Sequence, residues 1–185
     1  MIELPEPRDK KTIMNADGMD RSLGRMAAEI VERNADLTNA VVIGIQRRGV
    51  FLARRLREKL LQKEGMKLPI GELDIALYRD DITLLGDQPV VHSTSIPVDV
   101  NGKTIILVDD VIYTGRTIRA ALEALADIGR PSCVQLLVLI DRGHRELPIQ
   151  PDYLGREVPT SLSEEIEVRV NELDGVDEAV ITVAQ

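Results

Sequence analysis

The chain has 185 residues, 44% of them apolar, which suits one domain with a sizeable core. A formal net charge of −8 and a pI near 4.9 exclude broad electrostatic attraction to nucleic acid or an anionic membrane, and leave room only for local basic patches. Cys133 is the one cysteine, so no intrachain disulfide can form. The apolar runs are too short for a membrane span, and Met1 to Lys11 holds prolines and mixed charges rather than a signal-peptide core. The expectation is a cytoplasmic protein with no membrane partner.

In chain order, Thr12 to Met14 predicts a short edge strand, and Asp17 or Asp20 is placed to cap the first helix. Leu23, Met26, Ala27, Ile30 and Val31 then recur at helical spacing. The opposite face carries Arg21, Arg25, Glu29, Glu32 and Arg33. Ala40 to Ile45 is apolar throughout, as in a strand buried on both faces. It runs into Gly44-Ile45-Gln46-Arg47-Arg48-Gly49, followed by a helix with Leu52, Leu56 and Leu60 in a row. A tight turn with a cationic lip suits a pyrophosphate. Gly44 and Gly49 have the spacing of a P-loop, but Val50-Phe51 stand where that motif requires Lys and then Ser or Thr.

Leu73 to Tyr78 alternates as a strand, and Ser95 to Val100 reads as another. Between them, residues 79–95 form a polar connection longer than most, the kind often used as a lid. Thr104 to Val108 is a further buried strand with Asp109 and Asp110 at its C-terminal end. Val111, Ile112, Tyr113, Thr114, Gly115, Arg116 and Thr117 follow, and Ile118, Ala121, Leu122 and Leu125 recur at helical spacing. Strand, acidic pair, small hydroxyl loop and helix start predict a phosphate held at the helix N-terminus. The carboxylates would repel that phosphate and suit hydroxyl donors or a metal. A phosphate beside a diol is a ribose 5-phosphate.

This run resembles the phosphoribosyl-pyrophosphate (PRPP) loop of type I phosphoribosyltransferases. The resemblance implies that Asp109 and Asp110 hold the ribose hydroxyls, that 111–117 hold the 5′-phosphate, and that Arg47, Arg48 and Gly49 hold the pyrophosphate. It also implies a lid over PRPP, with Arg79 at its base reaching the substrate's phosphates.

Val134 to Ile140 is the last strand of the core, and Glu165 to Val170 and Glu178 to Val183 are final strands. Between them, residues 141–163 read as a cap over the site. Tyr78-Arg79-Asp80-Asp81, Gly129-Arg130-Pro131-Ser132, Asp141 to Pro148, Tyr153 and Pro159-Thr160-Ser161 together resemble the PyrR family, from about Asp17 onward. Residues 1–16 then stand as a variable tail.

That family implies an α/β fold with a mostly parallel central sheet, helices on both faces and a small C-terminal cap, in one domain spanning 1–185. It implies conversion of uracil and PRPP to UMP and diphosphate with Mg²⁺ near Asp109 and Asp110, and Arg142 and Ile166 at the base. It further implies UMP-dependent binding of pyrimidine operon mRNA through Arg25, Arg33, His144, Arg145 and Arg156, on a homodimer or higher oligomer. Gly24 and Gln150 depart from the regulatory pattern, which has a hydroxyl residue and a basic residue there. Phe51, Tyr78, Tyr113 and Tyr153 are the only aromatics, so base stacking has few platforms. A phosphoribosyltransferase without the regulatory role, or acting on another nucleobase, is the alternative.

Overall fold

The computed structural model describes residues 8–80 and 93–183. Its elements are β1 (Arg8–Asn15), α1 (Ala16–Arg33), β2 (Ala40–Ile45), α2 (Arg48–Glu64), β3 (Ile70–Leu73), a 3₁₀ turn (Ala76–Tyr78), β4 (Thr104–Ile112), α3 (Arg116–Ile128), β5 (Cys133–Asp141), β6 (Tyr153–Glu157), β7 (Glu164–Arg169), a short α4 (Asn171–Asp174) and β8 (Glu178–Val183). Five strands make one sheet in the order β3-β2-β4-β5-β6, parallel at every pairing. β1, β8 and β7 make a second, antiparallel sheet.

The apolar runs are explained by two-sided burial. Ile106 and Val108 of β4 face the helices α1 and α2, through Met26, Ile30, Leu52 and Leu56. Ile105 and Leu107 face α3, through Ile118, Ala121, Ala124 and Leu125. Alternate residues of one strand thus serve two cores. Deleting a buried leucine such as Leu56 would cost about 2–5 kcal/mol. The α/β class with helices on both faces is the expected one.

The chain leaves β2 for β3 on one side and returns to place β4 on the other. The turns after β2 and β4 therefore part at the carboxyl ends of these two strands, where open α/β sheets bind ligands.

Several local boundaries differ from expectation. The α1 cap is Asn15, whose side chain accepts the Gly18 N–H at 2.9 Å, while Asp17 lies inside the first turn. Residues 8–15 are a strand paired along β8, longer than the expected Thr12 to Met14. Leu73 to Tyr78 is not a strand, because β3 ends at Leu73 and the backbone turns at Ala76–Tyr78. Ser95 makes only an isolated bridge to Glu72, so the strand expected over Ser95 to Val100 does not form. Tyr153–Glu157 pairs with β5 as the edge of the main sheet, so 141–163 is not all cap. Gly155 permits this, since a side chain there would collide with the Leu139 carbonyl. Most of the expected lid, 81–92, lies outside the described residues. Among the described residues no helix is long and apolar enough to cross a membrane.

Candidate active site

The acidic pair stands at the end of β4. Asp109 is buried and Asp110 partly exposed. The Asp109 carboxylate accepts the Asp110 N–H at 2.9 Å, and Asp110 accepts the Val111 N–H at 3.0 Å. Burial, and then the charge of Asp110, push Asp109 well above the usual carboxylate range. Burial also raises Asp110, against the pull of Asp109, the Val111 N–H and Arg48. Two close acids in a dry place resist a second charge.

After the pair the chain turns through Tyr113 and Thr114 to Gly115, which caps α3 with φ 94°. A side chain is disfavoured at that φ, so glycine is required. Thr114 Oγ1 accepts the Arg116 N–H at 3.3 Å. The remaining N–H groups of the first turn, together with Thr117, face an opening with the donors and dipole an anion needs. A cavity of about 290 Å³ opens there, lined by Arg79, Asp80 and residues 111–117. Arg116 pairs with Asp80 and Glu146, each at 2.7 Å, across its mouth. That guanidinium holds the Asp80 carboxyl below its ordinary range.

A second cavity of about 310 Å³ adjoins it, sharing Arg79, Val111 and Thr117, and is lined also by Gln46, Arg47, Arg48, Asp109 and Asp110. The Gln46–Arg47 peptide on its rim is cis. Gly49 is packed flat on β4: a Cβ there would lie 2.5 Å from the Val108 carbonyl oxygen and 3.3 Å from the Asp109 Cα. The cationic turn after β2 and the acidic end of β4 thus share one crevice.

Arg142 is buried, with its guanidinium 4.0 Å from the Tyr113 ring centroid. It donates to Thr160 Oγ1 at 3.1 Å and to the Glu164 carbonyl. It therefore ties the end of β5 to the start of β7. Ile166, on β7, is half-buried against the α1–α2 core rather than at the cavities.

The five candidate RNA contacts fall into two groups. Arg25, Arg33 and Arg156 lie along α1 and β6. Arg25 donates to the Leu154 and Gly155 carbonyls, Arg33 to that of Asp152, and Arg156 to that of Ile13. Arg25 and Arg156, with Arg21, line an open groove of about 710 Å³ between β1, α1 and β6. His144 and Arg145 instead border the phosphate loop. His144 meets the Tyr113 ring edge-on and bonds the Thr160 carbonyl. Arg145 pairs with the Asp141 carboxylate at 2.5 and 3.0 Å and donates to the Tyr113 and Ile149 carbonyls.

Sequence reasoning missed Glu146 and Asp174, partners of Arg116 and Arg48. Their long separation along the chain gave no signal. Among the described residues no group of three or more His, Cys, Asp and Glu could hold a metal alone. Two carboxylates fit a hard ion that takes most of its oxygens from a substrate.

Residues 10–172 match the model of the phosphoribosyl transferase domain. The Bifunctional protein PyrR of Pelotomaculum thermopropionicum is 58% identical over 174 residues, covering 94% of this chain and 96% of that protein. That of Chloroflexus aurantiacus is 56% identical over 173 residues, covering 94% and 95%. Among solved structures, a hypoxanthine phosphoribosyltransferase from Staphylococcus aureus superposes with a TM-score of 0.71 at 16% identity, covering 95% and 92%. One from Trypanosoma cruzi gives 0.74 at 14%, covering 94% and 95%. At those identities the structures speak for the fold, and the close sequence relatives speak for the family. With the acidic pair, the small-residue loop and the cationic turn gathered at the carboxyl ends of β2 and β4, the chain belongs to the PyrR family of the phosphoribosyl transferase domain.

Proposed function

We propose that the chain is a uracil phosphoribosyltransferase and a pyrimidine-operon regulator, and that it does the two jobs on two surfaces. The observation that carries the enzyme is the crevice between β2 and β4. It offers an anion cradle at residues 114–117, carboxylates at Asp109 and Asp110, and cations at Arg47 and Arg48. These match the 5′-phosphate, the ribose diol and the pyrophosphate of PRPP, in that order along the molecule.

In the reaction a uracil nitrogen bonds to C1 of the ribose while the C1–oxygen bond to pyrophosphate breaks; the bonding electrons leave with the pyrophosphate, and the nitrogen's proton passes to the released diphosphate or to water. Positive charge builds on the ring, so positioning and electrostatics carry most of the catalysis. Asp109 and Asp110 orient the hydroxyls and offer negative charge beside the ring. Arg79, exposed at the cavity rim, reaches the departing phosphates. Asp109 and Asp110 would hold a Mg²⁺ ion that came with PRPP, and it would supply positive charge for the phosphate oxygens. Arg142, fixed over Tyr113, meets the base.

The regulator binds pyrimidine operon mRNA through the groove edged by Arg21, Arg25 and Arg156, in a homodimer that doubles the basic face. UMP in the crevice favours that binding.

The test is turnover of purified protein with PRPP and, separately, uracil, hypoxanthine, guanine, adenine and orotate. Diphosphate release with uracil alone is the expected result. Release with another base and not with uracil would overturn the assignment.

A further inference from the structure

Arg48 is the first residue of α2 and lines the cavity that holds Asp109 and Asp110. Its guanidinium is gripped side-on by Asp174 of α4: Nη2 meets Oδ1 at 2.9 Å and Nε meets Oδ2 at 3.3 Å. A guanidinium carries five N–H donors in one rigid plane. The grip uses two on one edge. Glu167 Oε1 also stands 3.8 Å from Nη2, beyond hydrogen-bond reach, so three N–H groups remain toward the outer edge, enough for a forked bond to a phosphate.

Asp174 is itself anchored. Its Oδ2 accepts the Val170 N–H at 2.8 Å. Burial raises its carboxyl, but that N–H and Arg48 together hold it below the ordinary range. Arg55, seven residues along α2 and on the same face, docks the same turn. It pairs with Glu172 at 2.6 Å and Asp177 at 2.7 Å, and Asp177 accepts the Asn171 N–H at 2.8 Å. So one arginine of the stripe fastens the turn to α2, and the turn in its place presents Asp174 to the other arginine.

We propose that Asp174 is a positioning residue for the pyrophosphate end of the substrate: it holds Arg48 in one orientation, with the outer edge of the guanidinium left for the phosphates. The proposal rests on the PRPP reading of this crevice. A half-exposed arginine would otherwise sample many rotamers and lose that freedom on binding. Held in advance, it loses less. The small sheet and its short helix thereby take part in substrate affinity, though they contribute no group that touches the base or the ribose.

The opposite role is physically open to a carboxylate: as a counter-ion it could neutralise Arg48 and oppose the phosphates. The two roles differ in sign. In the full-length chain, Asp174→Asn keeps an oxygen for the Val170 N–H and removes the charge. The experiment measures KM for PRPP and kcat with uracil, PRPP affinity by calorimetry, and Tm, in Asp174→Asn, Asp174→Glu, Arg48→Lys, the Arg48→Lys/Asp174→Asn double variant and Glu172→Gln.

Positioning requires KM and Kd for PRPP to rise about three- to tenfold in Asp174→Asn, the ordering cost of one long side chain. It also requires kcat within about twofold, partial rescue by Asp174→Glu, and a double variant no worse than Arg48→Lys alone. Glu172→Gln removes one of the two partners of Arg55 and leaves Asp177 to hold the turn in place, so it should lower Tm slightly and keep PRPP affinity within about twofold. Unchanged or tighter PRPP binding in Asp174→Asn would overturn the proposal. So would an equal loss in Glu172→Gln, since that would make the effect one of general docking. A parent that binds PRPP but ignores uracil would sink the base assignment while the calorimetric comparison still decides the role of Asp174. A parent that binds no PRPP would sink both.

Discussion

The Asp109 carboxylate accepts the N–H of the next residue, Asp110, at 2.9 Å, so a buried acid and a partly exposed one stand side by side at the end of β4. Burial and the neighbouring charge make this arrangement costly once both are ionised. Its natural relief is a ligand that brings hydroxyl donors or a cation.

Asp109→Asn should therefore stabilise the free protein and damage the enzyme. A carboxyl raised in the folded state binds more protons there than in the unfolded chain, between the two titrations. Its favourable share is present at low pH and is lost as pH rises through the folded value. The variant's Tm should match the parent's in acid and exceed it at neutral pH, with a gap that widens as pH rises. A relief of about 1 kcal/mol would be about 2–4 °C for a chain of this size. Turnover with PRPP should fall about 10- to 150-fold, from loss of a charge-assisted bond of ~1.5–3 kcal/mol. Thermal melts across pH and steady-state kinetics check both halves. A variant less stable than the parent at neutral pH would show that the acid pair is not under electrostatic stress.

Gly49→Ala tests how closely the cationic turn is fitted to the acidic strand. The added methyl would lie 2.5 Å from the Val108 carbonyl oxygen, which is backbone and cannot swing away. Either α2 or the end of β4 must shift. Overpacking of this kind costs about 1–3 kcal/mol, and the shift would separate Arg47 and Arg48 from Asp109. Chemical denaturation should show the loss, and kcat/KM should fall further than the modest destabilisation explains. A stable, fully active Gly49→Ala would mean that the two loops are not held in register by this contact.

The sequence was most legible where one strand carries its own chemistry. Thr104 to Thr117 shows its burial by its apolar run, its acid pair by position, and its turn into α3 by small residues before a helical stripe. The turn after Ile45 was legible for the same reason. Pairings across the chain were not. Nothing near Tyr153 marks it as the start of a main-sheet edge strand, because the register is set by Leu137 and Val138 on β5. Asp174 looks like one of many surface acids until the fold sets it against Arg48, 126 positions away. The alternation over Leu73 to Tyr78 misled, because a period of two also fits a strand end followed by a 3₁₀ turn.

Arg142→Lys should separate charge from shape at the pocket proposed for the base. Lysine keeps the positive charge but loses the planar fork and the stack on Tyr113. The Thr160 hydroxyl and the Glu164 carbonyl are then poorly paired in a buried place, at about 1–3 kcal/mol. The link between β5 and β7 should loosen, lowering Tm by several degrees, and KM for uracil should rise more than KM for PRPP. Equal effects on both substrates would place Arg142 in general support of the fold and not beside the base.

The division of the basic residues gives the RNA hypothesis its sharpest test. Arg25 is exposed beside an open groove and pairs with Glu29 at 2.6 Å, a surface ion pair that a phosphate can displace. Arg145 is different. Its side chain is 14% exposed against 11% for Asp141, and it spans Asp141, Tyr113 and Ile149. The next two residues donate their N–H groups to the Thr114 carbonyl, at 2.9 and 3.1 Å. Arg145 is thus a strut behind the Tyr113–Thr114 turn. Arg145→Gln breaks a largely buried pair, at ~3 kcal/mol, and should lower Tm and uracil turnover together, with any RNA defect following from them. Arg25→Gln should weaken RNA binding across sequences and reduce the slope of log affinity against log salt by about one. The measurement is a mobility-shift titration with the leader RNA of the chain's own pyrimidine operon, with and without UMP, at several salt concentrations. Loss of RNA binding in Arg145→Gln, with Tm and turnover intact, would move that residue back to the RNA surface. An unchanged salt slope in Arg25→Gln would remove α1 from it.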